Sequence, residues 1–191
     1  MGFQHQAISH LSGTATLLGT NIFTLNIADS LHLTAILLSF LIGSAISGFF
    51  IRDSGLKLDR RYSMMLCLES ALLFGATLLL SSQNFYGHFL ASAACGLQNA
   101  LATTYTNAII RTTHVTGIFT DLGIMFGRFL KGEAFDKRKV SLFLLIIFGF
   151  ILGGIAGAYL FYNFQFYALS VPAILCIILA LIYLLYLRAL N

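Results

Sequence analysis

Two stretches of this chain repeat one spacing of polar residues that could do chemistry. They are Ser9-His10-Leu11-Ser12-Gly13-Thr14-Ala15-Thr16-Leu17-Leu18-Gly19 and, 104 positions later, Thr113-His114-Val115-Thr116-Gly117-Ile118-Phe119-Thr120-Asp121-Leu122-Gly123. A histidine, a small hydroxyl (Ser12, Thr116), two glycines and a threonine (Thr16, Thr120) fall in register. In each copy Gly13 or Gly117 can break a helix while Ser12 or Thr116 caps a new helical start. A helix N-terminus placed at membrane depth presents free N–H groups and partial positive charge, which hold an anion or a carbonyl oxygen. His10 and His114 would stand beside it as groups able to exchange protons near neutral pH. The same residues also fit a tight turn at a membrane surface with a hydrogen-bonded histidine, and the sequence leaves both accounts open.

A second polar feature runs along 96 to 107, where Ser92, Gly96, Asn99, Thr103 and Thr106 share one helical stripe bordered by Gln98 and Asn107. Unpaired amides in hydrocarbon cost several kcal/mol, so this stripe must face protein or water. It lines a solute pathway, or it is glue between helices. Glu69 lies within an apolar run, eight residues beyond Arg61. A carboxyl inside the membrane calls for a partner, and His114 or Arg111 is the expected one; a purely structural role is the alternative. The expected solute-binding set is therefore Gln98, Asn99, Thr103, Thr113, His114, Thr116, Gly117, Asp121, His10, Ser12, Gly13 and Glu69. There is no nucleophile elbow, no HExxH and no phosphate-binding glycine loop. Cys67, Cys95 and Cys176 are isolated, without metal-ligand spacing. No enzyme activity, cofactor or metal is expected.

The elements that must position these residues follow from composition. Hydrophobic residues make up 58% of the 191 and charged residues 9%, against roughly 25% charged in soluble domains. The solvent is a lipid bilayer. Five spans of about 20 residues fit at 31–51, 62–81, 86–110, 141–162 and 166–188. All eleven Lys and Arg residues fall at Arg52, Lys57, Arg60 and Arg61, at Arg111, Arg128, Lys131, Lys137, Arg138 and Lys139, and at Arg188. The connections 82–85 and 163–165 have none. Positive loops stay inside, so both basic loops and the C-terminus are expected in the cytosol. The net charge of +4 thus reflects topology, and no nucleic-acid partner is expected.

The centres of two spans also match, Phe40-Leu41-Ile42-Gly43-Ser44-Ala45-Ile46-Ser47 against Phe150-Ile151-Leu152-Gly153-Gly154-Ile155-Ala156-Gly157. The second motif follows a full span that the first lacks, which predicts a chain without its first span, whose complete relatives have six. Three-span units enter the membrane in opposite senses. The fold expected is all-α, a polytopic transmembrane bundle of two units, 1–85 and 86–191, related as an inverted repeat. Secondary transporters are commonly built this way, with sites at the repeat interface. Small-xxx-small faces at Gly43 with Ser47, Ser44 with Gly48, and Gly149, Gly153 and Gly157 predict close helix packing within the chain or in a homodimer. In 112–131, Ile118, Leu122, Met125, Phe126, Phe129 and Leu130 recur at helical spacing, which predicts an amphipathic helix at the cytosolic interface.

The strings Ala94-Cys95-Gly96-Leu97-Gln98-Asn99-Ala100, Arg111-Thr112-Thr113-His114-Val115-Thr116-Gly117 and Ser9-His10-Leu11-Ser12-Gly13 resemble the YoaK-like family of bacterial inner-membrane proteins, a domain of unknown function. The resemblance extends over essentially the whole chain. It implies a multi-pass inner-membrane protein of six spans and supplies no activity. Two functions are expected in order: a small-solute transporter or permease with a polar site between the repeats, or else a membrane interaction or regulatory subunit.

Overall fold

The computed structural model describes residues 9–51, 60–105, 114–134 and 136–189, and within these the regular structure is helical throughout. Helices α1 (Leu11–Phe23), α2 (Ile27–Phe50), α3 (Arg60–Ser81), α4 (Gly87–Tyr105), α5 (Val115–Leu130), α6 (Lys137–Phe164) and α7 (Ser170–Ala189) follow in order. A 3-10 segment, Gln165–Leu169, joins the last two. Three stretches among the described residues are long and apolar enough to cross a membrane: Ile27–Phe50, Arg60–Ser81 and the continuous Lys137–Ala189, which holds both α6 and α7. Of the five expected spans, that at 86–110 is the exception. Its helix α4 is kept out of that set by its polar stripe, and residues 106–110 lie outside the described part.

The repeat in sequence becomes a repeat in local structure. α1 and α5 each begin one residue after a motif histidine, so His10 and His114 occupy the N-cap positions. Their carbonyls accept the first helical bonds, from Thr14 N (3.0 Å) and Ile118 N (3.2 Å). Six residues after each motif histidine a threonine hydroxyl donates back along the helix: Thr16 to the Ser12 carbonyl at 3.0 Å and Thr120 to the Thr116 carbonyl at 3.0 Å. The following long helices are both capped by an Asx side chain, Asn26 accepting from Asp29 N and Asp136 from Lys139 N. Asn26 and Asp136 are 110 apart, the same offset as Phe40 and Phe150. The six residues added since the motif divide between a longer short helix, 16 residues against 13, and a longer link.

Two details of the expected start are corrected. Ser12 and Thr116 are not the caps, because the histidines hold that position without any side-chain cap bond. Gly13 and Gly117 do not break a helix either; each lies in a first turn that continues unbroken.

α4 occupies the centre, packed between α2 and α3, and α3 in turn packs on α7. α2 and α4 run parallel, and their backbones approach closely at two glycines. A Cβ on Gly43 would collide with the Ala93 carbonyl, and one on Gly96 with the Phe40 carbonyl. Hydroxyls then bond across the contact: Ser44 donates to the Gly96 carbonyl (2.9 Å) and Ser92 to the Ile36 carbonyl (2.8 Å). Ser70 does the same between α3 and α7, donating to the Ala173 carbonyl at 2.8 Å. Around these contacts close two apolar clusters, Met65, Leu66, Leu97, Leu101 and Ala180, and Leu73, Ala94, Ala173 and Cys176.

α5 folds back along α6, with Ile118 clustered against Phe143 and Ile147, and Leu122 and Met125 packed beside them. That is half of the expected apolar face; Phe126, Phe129 and Leu130 are exposed. Beyond this cluster α6 is largely open. Every residue from 148 to 159 is exposed, and Gly149, Gly153, Gly154 and Gly157 have nothing within reach of a Cβ. Of the two small-residue faces of the first copy, Gly43 with Ser47 is buried and Gly43 seats α4, whereas Gly48 of the Ser44 face is exposed and has nothing within reach of a Cβ; among the described residues the face of the second copy meets no helix.

Candidate functional site

The two motif helices start beside one stretch of α6. The His10 ring lies 5.8 Å, centroid to centroid, from Phe150, while Ile118, one turn into α5, joins the cluster of Phe143 and Ile147. Phe150 is the fourteenth of the 28 residues of α6, so both starts border the middle of a long apolar helix rather than its ends. The first N–H groups of a helix, here those of residues 11–13 and 115–117, have no acceptor inside the helix. In an apolar surrounding such donors require a partner. Ser12, Gly13, Thr116, His10, His114 and Asp121 are all exposed, and Gly117 is half-buried.

The histidines are not posed alike. His114 folds over its own first turn, so that a Cβ on Gly117 would collide with Nδ1 and stand 2.6 Å from Cε1. Gly13 meets only the His10 Cβ, at 4.0 Å, because the His10 ring has swung out to Phe150. The glycine three residues after the histidine is thus space for an imidazole, a role different from the helix break read from the sequence.

The stripe on α4 divides in two. Ser92 and Gly96 are buried in the contact with α2, where they act as glue. Asn99 and Thr103 are half-buried, and the Thr103 hydroxyl donates to the Asn99 carbonyl at 2.7 Å. Gln98 is exposed. Thr106, Asn107, Arg111 and Thr113 lie outside the described residues.

Glu69 is 3% exposed, at the junction of α3, α4 and α7. Its partner is Cys176 of α7, whose thiol donates to the carboxyl, rather than the expected His114; the other expected partner, Arg111, lies outside the described residues. Cys95 of α4 also stands within its field. Among the described residues the Oε2 atom has no hydrogen-bond partner. His114 and Arg111 are expected because both lie toward the same cytosolic side; the packing of α7 on α3 puts a thiol beside the carboxyl.

One group was missed. His32 of α2 and His88 of α4 stand edge to face with centroids 5.5 Å apart, bordered by Phe85 at 5.8 Å and Phe89 at 5.2 Å from His32. Each sits near the start of its helix, a level match that only the parallel pairing of α2 with α4 reveals. A shallow hollow at the turn from α5 to α6, lined by Met125, Arg128, Glu133, Ala134, Asp136 and Lys139, includes none of the expected site residues.

A family model described as "Protein of unknown function (DUF1275)" matches residues 1–182 of the chain. No curated protein and no solved structure matches it.

Proposed function

The chain belongs to the DUF1275 family, and we propose from its own geometry that it is a small-solute permease of the bacterial inner membrane, with basic loops and C-terminus in the cytosol. Its two halves form an inverted repeat, and the solute site lies where the two motif helices begin. The observation that carries this is the placement of both helix starts against the middle of α6, with His10 on Phe150 and Ile118 among Phe143 and Ile147. Broken or shortened helices whose N-termini point into the membrane bind anionic or carbonyl groups of solutes in this way. Backbone donors of the first turns supply the attraction, His10 and His114 add imidazole groups, and Asn99 with Thr103, which we assign to the site from the polar stripe of α4 alone, adds an amide and a hydroxyl able to accept.

A thermal-shift screen of the purified protein tests this, using small carboxylates, inorganic phosphate and neutral amides as probes. At a hundredfold excess over Kd, binding adds about 2.7 kcal/mol of stability. At least one class should raise the melting temperature of wild type. His114→Ala and Asn99→Ala should remove that rise while melting close to wild type without ligand. If both variants unfold readily and no probe ever shifts the wild type, the second reading stands instead: an interaction or regulatory subunit whose polar residues only pack. The use of Ser44 and Ser92 as links across α2 and α4 favours that reading for this part of the stripe.

A further inference from the structure

We propose that Gly13 and Gly117 are positioning residues which let each motif histidine alternate between two seats, one folded over its own helix start and one against the opposite copy's phenylalanine. In this structure the copies hold opposite seats. His114 is folded into the space over Gly117, where any Cβ would meet its Nδ1 and Cε1. His10 has left the equivalent space and lies on Phe150, at 5.8 Å. Among the described residues only the His10 Cβ, at 4.0 Å, comes near a Cβ placed on Gly13, so the space above it has room for the imidazole.

Register supplies the other half of the exchange. Phe150 corresponds to Phe40 at the offset of 110 that also relates Asn26 to Asp136. The seat matching that of His10 on Phe150 is therefore that of His114 on Phe40, in the other copy's long helix. Two equivalent helix starts in two different states are what a molecule of two related halves shows when one state is the mirror of the other. Swapping the seats moves a donor ring away from one helix N-terminus and onto the other. The swap deepens the permease reading above, since it would expose the two helix starts in turn, but its test reads the imidazoles alone.

The imidazole signals of isotope-labelled protein in nanodiscs provide that test. His10 should carry an upfield ring-current shift that Phe150→Leu abolishes. In wild type the His114 signal should not respond to Phe40→Leu. In Gly117→Ala the added methyl expels the ring, and the His114 signal should acquire an upfield shift that Phe40→Leu then removes. Gly13→Ala should leave the His10 signal in place, because that seat is already empty. A His114 signal unmoved by Gly117→Ala, or moved without any response to Phe40→Leu, overturns the proposal. Should Gly117→Ala fail to fold, His114→Ala combined with Gly117→Ala removes the collision: recovery of folding supports the seat, and continued failure contradicts it. A protein that binds no solute but passes these tests would lose the permease function and keep the paired seats.

Discussion

Gly43→Ala and Gly96→Ala should each cost about 3 kcal/mol or more, the upper range for overpacking a tight contact. At both positions the obstacle is a backbone carbonyl, of Ala93 and of Phe40, which cannot rotate away as a side chain would. Relief requires α2 and α4 to separate. That would also break the Ser44 and Ser92 bonds to the facing carbonyls, at 2.9 and 2.8 Å, leaving polar groups bare between helices. Leucine should be worse than alanine at either site. Gly153 is the control, since it holds the same register in α6 and meets nothing; Gly153→Ala should be neutral or gain up to about 1 kcal/mol from helix propensity. Melting curves in one detergent settle the ranking. Equal losses at Gly43 and Gly153 would mean that the α6 face is covered by another molecule, and no loss at Gly43 would mean that the approach of α2 to α4 is wrong.

Glu69→Met should fold and melt at least as well as wild type, with a gain of about 1–3 kcal/mol expected from removing a buried, unsatisfied oxygen. The side chain is 3% exposed, and among the described residues its Oε2 is unbonded. The donor that bonds the carboxyl is the Cys176 thiol, a weak one. Replacing a buried ionisable group by an apolar one of similar volume is often neutral or stabilising. A group that weakens the fold and is nonetheless present in the membrane is a functional candidate, so solute binding or flux should fall in Glu69→Met while stability does not. A destabilisation as large as that of Gly43→Ala, with flux retained, would make the carboxyl structural.

Both predictions turn on contacts of different legibility. That a helix begins at each motif could be read from the recurrence of His, hydroxyl and Gly at one spacing, because capping is a local matter of a few residues, but the cap falls on His10 and His114 rather than on Ser12 and Thr116. The Asx caps at Asn26 and Asp136 were equally local, though their offset differs by six from that of the motif. The pose of the two histidines was not legible, since identical spacing gave His114 a seat over Gly117 and sent His10 to Phe150. Tertiary neighbours decide that. Gly43 and Gly153 make the same point: they carry one sequence signal, yet α4 seats on the first and, among the described residues, no helix on the second. The neighbour of Glu69 and the pairing of His32 with His88 likewise depend on which helices touch, which hydrophobic periodicity does not encode.

A solute site formed by the motif helices requires that both begin deep in the bilayer, beside the middle of α6. Depth is measured directly with fluorophores attached at Ser12→Cys and Thr116→Cys, after replacing exposed Cys67 by serine, in nanodiscs whose lipids carry a quencher either at the headgroup or at mid-chain. Both labels should be quenched more strongly by the mid-chain quencher, as should a reference label at Phe150→Cys, while a label at Lys137→Cys should respond to the headgroup one. Headgroup quenching at both 12 and 116 would place the motifs at the membrane surface, as turns with capping histidines, and would contradict a solute site formed by helix starts within the membrane.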